Sequence, residues 1–550
     1  MEFLKKKIND LLTKKKFINH NKKVFEKISQ NSSSNGKILV EFNNFISNHI
    51  GFSYLANELQ KKYKSKIVGY VGNTLLVNPL NINLITKIKF LIGRWIGINF
   101  FSVYKSFGAK EFFYPELDTS LNTKKIKIYK KFLNEVIDLY KLENFKINNV
   151  LVGDLLYDTY LKNLAQINKS LEPTIILDSK DFLDFVDKFI SLFLVWEDYF
   201  KRNKVKAVIG THYCYTLAIP LRLANKHKAE AHVCGPYALT KYKKNFFYQN
   251  NETLFLKKIF KKMNNTNKKM IIKTAESRMN SRKKGKYSTD FAYVTKSPFG
   301  SVKKKKYLNN NKKLKVVIAT HAFGDAPHAM GKHIFTDHYQ WLKFLTEISK
   351  KTDYEWYVKT HPNFGSLWTP FTKHERDVSR HIIKKSKNMF LLPSDVTHNQ
   401  LVKEGISAVF TVTGTVGLDY AMLNTPVINA SLYNPQINYD FNLHPKNKKE
   451  LINIIMNLKK IIKKFKINKN EIYECYGVKN VFFSKNWLFQ NFDKTVKDIG
   501  SYHNLWNVNF YSYWINNWTV KLDKKIRKDI KDYISSNNYY LLNNNNMGKF

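Results

Sequence analysis

The 550-residue sequence predicts an α/β protein with two regions of alternating strands and helices and parallel sheets. Three observations carry this. Short apolar runs, of the kind that fill strands buried on both faces, recur between amphipathic helical stretches. They fall into two groups, on either side of a basic, polar stretch from about Leu256 to Lys313. A content of 43% hydrophobic and 15% aromatic residues suffices for sizeable cores, which excludes a disordered or low-complexity chain.

In chain order, residues 1–36 read as a basic lead-in ending S-S-S-N-G. Residues 37–255 form the first domain. Here K-I-L-V-E-F (from Lys37) is a buried strand, N-N-F-I-S-N-H-I-G-F a loop, S-Y-L-A-N-E-L-Q-K-K-Y a helix and K-I-V-G-Y-V a second strand, a β-loop-α-β unit. The rhythm returns at N-N-V-L-V-G-D-L-L-Y-D-T-Y-L and at V-K-A-V-I-G-T-H-Y-C-Y-T. Residues 256–313, with S-R-K-K-G-K and S-V-K-K-K-K, read as a solvated connector with some helix. Residues 314–484 form the second domain, with strands at L-K-V-V-I-A-T, Y-E-W-Y-V-K-T, M-F-L-L-P, A-V-F-T-V-T and T-P-V-I-N-A. Residues 485–550 are an aromatic, Asn-rich tail without a readable motif. Two such halves favour ligand binding in a cleft at the carboxyl ends of the strands.

The formal charge of +49 points first to nucleic acid or an anionic membrane. The cations are 84 Lys and eight Arg, however, and a surface built to fork phosphates and base edges uses Arg more often, so a nucleic-acid partner is not expected. Three cysteines (Cys214, Cys234, Cys475) make no C-x-x-C pair and fit a reducing cytoplasm. No signal peptide or transmembrane helix is expected. The apolar window from Phe90 to Phe101 carries Arg94 and is too short for a span of about 20 residues.

Candidate chemistry concentrates in three places. In A-V-F-T-V-T-G-T-V-G-L-D-Y-A-M-L-N-T-P-V-I, an apolar strand runs into a turn where Gly414 and Gly417 allow close backbone approach to a ligand. Thr413 and Thr415 add hydroxyls, the following helix start favours an anion, and Asp419 is placed to accept from a ribose hydroxyl. The alternative is an ordinary β–α turn with Thr as N-cap. In W-Y-V-K-T-H-P-N, a buried strand delivers Lys359 and His361 two residues apart on one face, where both can meet one phosphate; a packed turn histidine is the alternative. In A-T-H-A-F-G-D-A-P-H-A-M-G-K-H-I-F-T-D-H, the residues His321, Asp325, His328, His333, Asp337 and His338 fall within eighteen positions. Their spacing matches no helical metal-ligand pair, so no metal is expected. The better reading is a loop over the cleft with Asp325 and one or two histidines near the reacting groups, against a polar loop capping the next helix. In the first half, Asp154 and Asp158 beyond V-L-V-G, His212 beyond A-V-I-G-T, and His49 in the first β–α loop are candidates to reach an acceptor hydroxyl, with structural capping as the alternative for each.

K-T-H-P, followed after a spacer by V-T-G-T-V-G-L-D-Y-A-M-L-N-T-P-V-I, resembles the donor-site half of the capsule polysaccharide biosynthesis glycosyltransferases, capsular Kdo transferases among them. The resemblance spans about Lys37 to Tyr476 and is strong from Val316 to Ala430. It implies a GT-B-like fold, two Rossmann-like domains with parallel sheets facing across a cleft, acceptor on the first and nucleotide-sugar donor on the second. It also implies no cofactor beyond the nucleotide-sugar co-substrate, no obligatory metal, and a glycan or lipid-linked acceptor. On this likeness His361 matches the His-Pro histidine at the donor phosphate, and Thr413 and Thr415 match the hydroxyl-bearing turn. Asp419 stands where the family usually has Glu, one methylene longer. Asp325 and Asp154 join His361 as expected catalytic residues, with Lys359, Thr413, Gly414, Thr415, Gly417 and Asp419 on the donor. His49, His212, His321 and His328 are further cleft candidates. The expectation is a cytoplasmic glycosyltransferase of surface polysaccharide synthesis, with an anionic membrane surface as a further candidate partner. A nucleotide-sugar epimerase of the same fold, or a nucleic-acid binder, are the alternatives.

Overall fold

The computed structural model describes residues 2–29, 35–76, 100–117, 122–166, 177, 179–236, 238–245, 247–249, 251–285, 297–360, 373–393, 395–483, 487–489 and 491–541. The fold is α/β, in two compact units.

The first unit draws on residues 1–156, 179–247 and 484–547. Its strands are β1 (Lys37–Glu41), β2 (Lys66–Tyr70), β3 (Ala109–Phe113), β4 (Lys146–Ile147), β5 (Val150–Leu151), β6 (Val205–Gly210), β7 (Glu230–Cys234) and β8 (Leu239–Lys241). The main sheet runs β3-β2-β1-β6-β7-β8, parallel except for the antiparallel edge pair β7–β8. Strands β1, β2 and β6 are apolar runs because helices cover both faces, and parallel neighbours require crossovers that only such coverage permits.

V-L-V-G does hold a strand, β5, but it does not continue the parallel β-α rhythm expected there: β4 and β5 pair only with each other, antiparallel. The cause is the Asn148–Asn149 pair, both at positive φ (48° and 65°), which closes a two-residue hairpin and turns the chain back before a longer strand can form. The C-terminal segment, expected as a tail without a readable motif, packs into this unit, where its helices Asn509–Asn517 and Val520–Ser535 complete the core. Tyr511 stacks on Phe17 at 3.9 Å, and the Trp518 indole N–H donates to the Tyr54 hydroxyl at 3.0 Å.

The second unit draws on residues 157–178, 248–483 and 548–550. Its strands β9 (Lys315–Ala319), β10 (Glu355–Lys359), β11 (Met389–Leu392), β12 (Ala408–Thr411) and β13 (Val427–Asn429) form an all-parallel sheet in the order β11-β10-β9-β12-β13. Side chains alternate between two cores. Val316, Ile318, Trp356, Val358, Phe410 and Ile428 pack beneath the helices His338–Ser349 and Lys448–Met456. Val317, Tyr357, Val409 and Val427 pack beneath Leu401 and Tyr420 on the other face. The basic stretch expected to be a solvated connector is part of this unit. Its helix Asn265–Lys283 buries Ile271, Ala275, Met279 and Arg282, one face at helical spacing, and Gly477 lets the helix Lys469–Gly477 approach so closely that a Cβ there would meet Ile271.

In both units the central strands are ordered third, second, first, fourth, fifth, the doubly wound Rossmann order, which leaves a crevice at the carboxyl ends of the first and fourth strands. These are the two Rossmann-like units expected. Among the described residues, no helix is long and apolar enough to cross a membrane.

Candidate functional site

In the second unit the crevice lies between the ends of β9 and β12, and the residues there are polar. His321 follows β9, and its Nε2 sits 3.1 Å from the Thr411 hydroxyl at the end of β12. The Thr413 backbone N–H points at the same nitrogen, 3.3 Å away. An N–H donor requires an unprotonated Nε2, so the imidazole is held as the Nδ1–H tautomer. Its ring stacks on that of His338, 4.7 Å between centroids. The next residue, Gly414, has φ +111°, a conformation closed to side chains, and its carbonyl accepts from Gln436 Nε2 at 3.2 Å. The T-G-T turn is therefore set by backbone geometry, with an amide N–H and an imidazole at its mouth.

The remaining donor candidates are distributed around this turn. Thr415 begins the helix Val416–Met422, but its hydroxyl makes no cap hydrogen bond. That helix has only seven residues, so its dipole is slight and the turn itself must supply ligand contacts. At Gly417 a Cβ would lie 2.6 Å from Gln436 Oε1 and 2.7 Å from Asn442 Nδ2, so the position is closed to any side chain. Asp419 is buried and held bidentate by Arg282 (Nε–Oδ1 2.9 Å, Nη2–Oδ2 2.8 Å), so both its oxygens are already engaged. Lys359 ends β10 in register with Ala319 and, two residues after Tyr357, shares its face with Val409 and Tyr420. Burial lowers its pKa to about 8. His361 lies outside the described residues.

The histidine-rich loop is more ordered by its own contacts than a free lid would be. His328 Nδ1 is 2.7 Å from Asp158, and the Asp337 carboxylate both receives the Tyr157 hydroxyl and caps the helix His338–Ser349 through the Gln340 N–H at 2.7 Å. Burial raises the Asp337 pKa, brings that of His333 down to about 4 and lowers that of His338. Asp325 is half exposed, 3.7 Å from Lys162. His321 and Met330 of this loop meet the turn after β12, Met330 with its Sδ 3.8 Å from the Thr413 hydroxyl.

The first unit carries a second polar cluster at its own switch point. Glu41 ends β1 and is buried, which raises its pKa. Thr211, just after β6, gives it a backbone N–H at 2.9 Å and its hydroxyl at 2.7 Å. Because that hydroxyl donates to Glu41, it accepts from His212 Nδ1 at 2.7 Å, which leaves Nε2 as the unprotonated nitrogen. Sequence reading singled out His212 but not Glu41. The signal available was an acidic residue inside an otherwise apolar strand. Asp154 forms a buried bidentate pair with Arg222, both distances 2.6 Å, and Arg222 also donates to the Tyr242 hydroxyl. His49 is fully buried between the Tyr511 hydroxyl (2.6 Å) and the Asn43 carbonyl (2.9 Å), and burial brings its pKa down to about 4.

No protein family and no curated protein matches the sequence. Among solved structures, the chain is similar to Thermosulfurimonas dismutans KpsC, a beta Kdo 2,4 transferase, with 13% identity over 50% of this chain and 79% of that one and a TM-score of 0.32. It is similar to the UDP-GlcNAc 2-epimerase of Neisseria meningitidis bound to UDP-GlcNAc, with 10% identity over 80% and 98% and a TM-score of 0.25. A third is CalG4, the calicheamicin glycosyltransferase, with 9% identity over 81% and 95% and a TM-score of 0.23.

Proposed function

We propose that this protein is a glycosyltransferase that moves a sugar from a nucleotide-sugar donor, of CMP or UDP type, to a glycan or lipid-linked acceptor of a bacterial surface polysaccharide. The observation that carries the donor assignment is the turn after β12. There the Thr413 N–H and the Thr411 hydroxyl converge on His321 at the switch point of a Rossmann-like sheet, beside a glycine at φ +111°. A donor phosphate entering this mouth takes the Thr413 N–H in place of His321 Nε2, and the released imidazole becomes available to donate to a phosphate oxygen once protonated. Lys359 and His361 add positive charge on the sequence-derived reading. Stabilisation of the departing nucleotide phosphate by these groups is the main catalytic contribution. In the first unit the Glu41–Thr211–His212 chain orients an imidazole suited to general-base work on a hydroxyl. In the transfer the acceptor oxygen bonds to the anomeric carbon as that carbon's bond to the phosphate oxygen breaks. Asp154, whose carboxylate serves Arg222, takes no part in the transfer, and Asp419 only anchors the turn through Arg282.

The test is to incubate the full chain with CMP-, UDP- and GDP-sugars, each alone and with a glycan acceptor, and to analyse both products. Acceptor-dependent release of nucleotide with an elongated glycan supports the transferase. An epimerised nucleotide sugar formed without acceptor supports the epimerase instead. His321→Ala is expected to lower turnover about 10²–10³-fold, by analogy with loss of one oxyanion donor, while the protein stays folded.

A further inference from the structure

In the first helix, Glu2–Ser29, the buried residues among those described all lie in the second half. Phe17, Ile18, Asn21 and Phe25 are buried at helical spacing, with Phe17 stacked on Tyr511 and Phe25 edge-on to Tyr54. Lys14 is turned inward, its ammonium 4.7 Å from the centre of the Phe100 ring. In the first half the pattern reverses. Ile8, Leu11 and Leu12 are 50%, 45% and 52% exposed, and their i, i+3, i+4 spacing makes them one contiguous stripe. At 100° per residue this stripe points about 120° away from the buried face. Lys5, Lys15 and Lys16 border it and Lys6 is exposed as well, against the acidic residues Glu2 and Asp10.

We propose that this helix docks the protein on an anionic phospholipid bilayer, lying in the headgroup plane with Ile8, Leu11 and Leu12 turned into the acyl boundary and the lysines on the lipid phosphates. Each half of the pattern selects the same partner. A solvated helix gains nothing by exposing three branched aliphatic residues on one face, whereas an interfacial helix needs such a stripe with a cationic border. Nucleic acid would satisfy the lysines but offers nothing to an aliphatic stripe, since bases stack on aromatic rings. A second exposed apolar run of this unit, Leu133, Ile137 and Tyr140, also has exposed lysines beside it (Lys130, Lys131, Lys141) but is interrupted by the exposed carboxylates Glu135 and Asp138, which an anionic surface repels. The proposal is independent of the transferase reading, because it uses no residue of either switch point.

Sedimentation of the full-length protein with vesicles tests it. Binding is expected to vesicles of about 30% phosphatidylglycerol, to be weak on phosphatidylcholine alone, and to be released by about 0.5 M NaCl. The double change Leu11→Ser, Leu12→Ser should weaken it about tenfold or more, and neutralising Lys15 and Lys16 to Gln should weaken it about 20-fold, both with unchanged melting temperature because the side chains are exposed. Ile137→Ser should leave binding unchanged. Because Cys214, Cys234 and Cys475 are all buried, Leu12→Cys can carry an environment-sensitive fluorophore, whose emission should shift to the blue on anionic vesicles. Absence of binding to anionic vesicles, binding indifferent to the leucine changes, an equal loss with Ile137→Ser, or tight duplex DNA binding unaffected by the leucine changes would overturn the proposal.

Discussion

His49, His333 and His444 share one physical situation: burial holds each neutral and brings its pKa down to about 4. In the unfolded chain a histidine titrates near 6.5. Between these values the unfolded state binds a proton that the native state does not, so stability rises with pH there and is lost as the solution is acidified below about 6.5. Each such histidine contributes about 3 kcal/mol over the full window. The expected outcome is a urea midpoint that falls steadily from about pH 6.5 to 4. His49→Gln should flatten the slope while costing stability at neutral pH, because the Tyr511 hydroxyl and Asn43 carbonyl lose their shared partner. A midpoint independent of pH in this range would show that these rings are not held neutral. At this scale the sequence exposes which residue types stand after which strands, and it does not expose their partners. Arg222 for Asp154, Arg282 for Asp419 and Thr211 for Glu41 lie 68, 137 and 170 positions away, where no local spacing can betray them.

The helix Val416–Met422 depends on one such distant partner. Seven residues do not make a stable helix by propensity, and Tyr420 packing on the sheet together with the Asp419–Arg282 pair fixes it. Both partners are buried, so removing only the guanidinium leaves an uncompensated carboxylate in the interior. Arg282→Ala is expected to destabilise the protein by about 3–5 kcal/mol, whereas replacing both residues by apolar ones of similar volume should be nearly neutral. If the pair also sets the turn at Thr413–Gly414, the double replacement should weaken nucleotide binding despite its normal stability. A thermal melt and a nucleotide titration on the same preparation separate the two effects. Equal stability of Arg282→Ala and the parent would mean that the pair carries no folding energy. Parallel strands were the most legible elements, since strands covered on both faces must be apolar throughout. A-K-E-F-F (β3) and E-A-H-V-C (β7) escaped because charged or polar residues interrupt them near the sheet edges.

At the scale of the whole molecule, the repeated Rossmann order matters most, because it predicts where ligands go before any side chain is considered. The composition obscured part of this. Lysine richness made residues 256–313 look like a linker, and aromatic, Asn-rich wording made residues 485–550 look like a tail, yet each supplies buried faces to a unit. Burial follows one helix face, and a stretch can be highly basic overall while keeping that face apolar, as Ile271, Ala275 and Met279 do.

Nucleotide binding at the carboxyl ends of β9 and β12 in the second unit, as proposed, is read most directly by hydrogen exchange on the full chain. With a saturating nucleotide chosen from CMP, CDP, UDP and GDP by its effect on the melting temperature, slowed exchange is expected in residues 320–322 and 411–418. The same protection should be lost in His321→Ala. A nucleotide that raises the melting temperature while leaving residues 411–418 unprotected, or protecting only the first unit, would contradict the account.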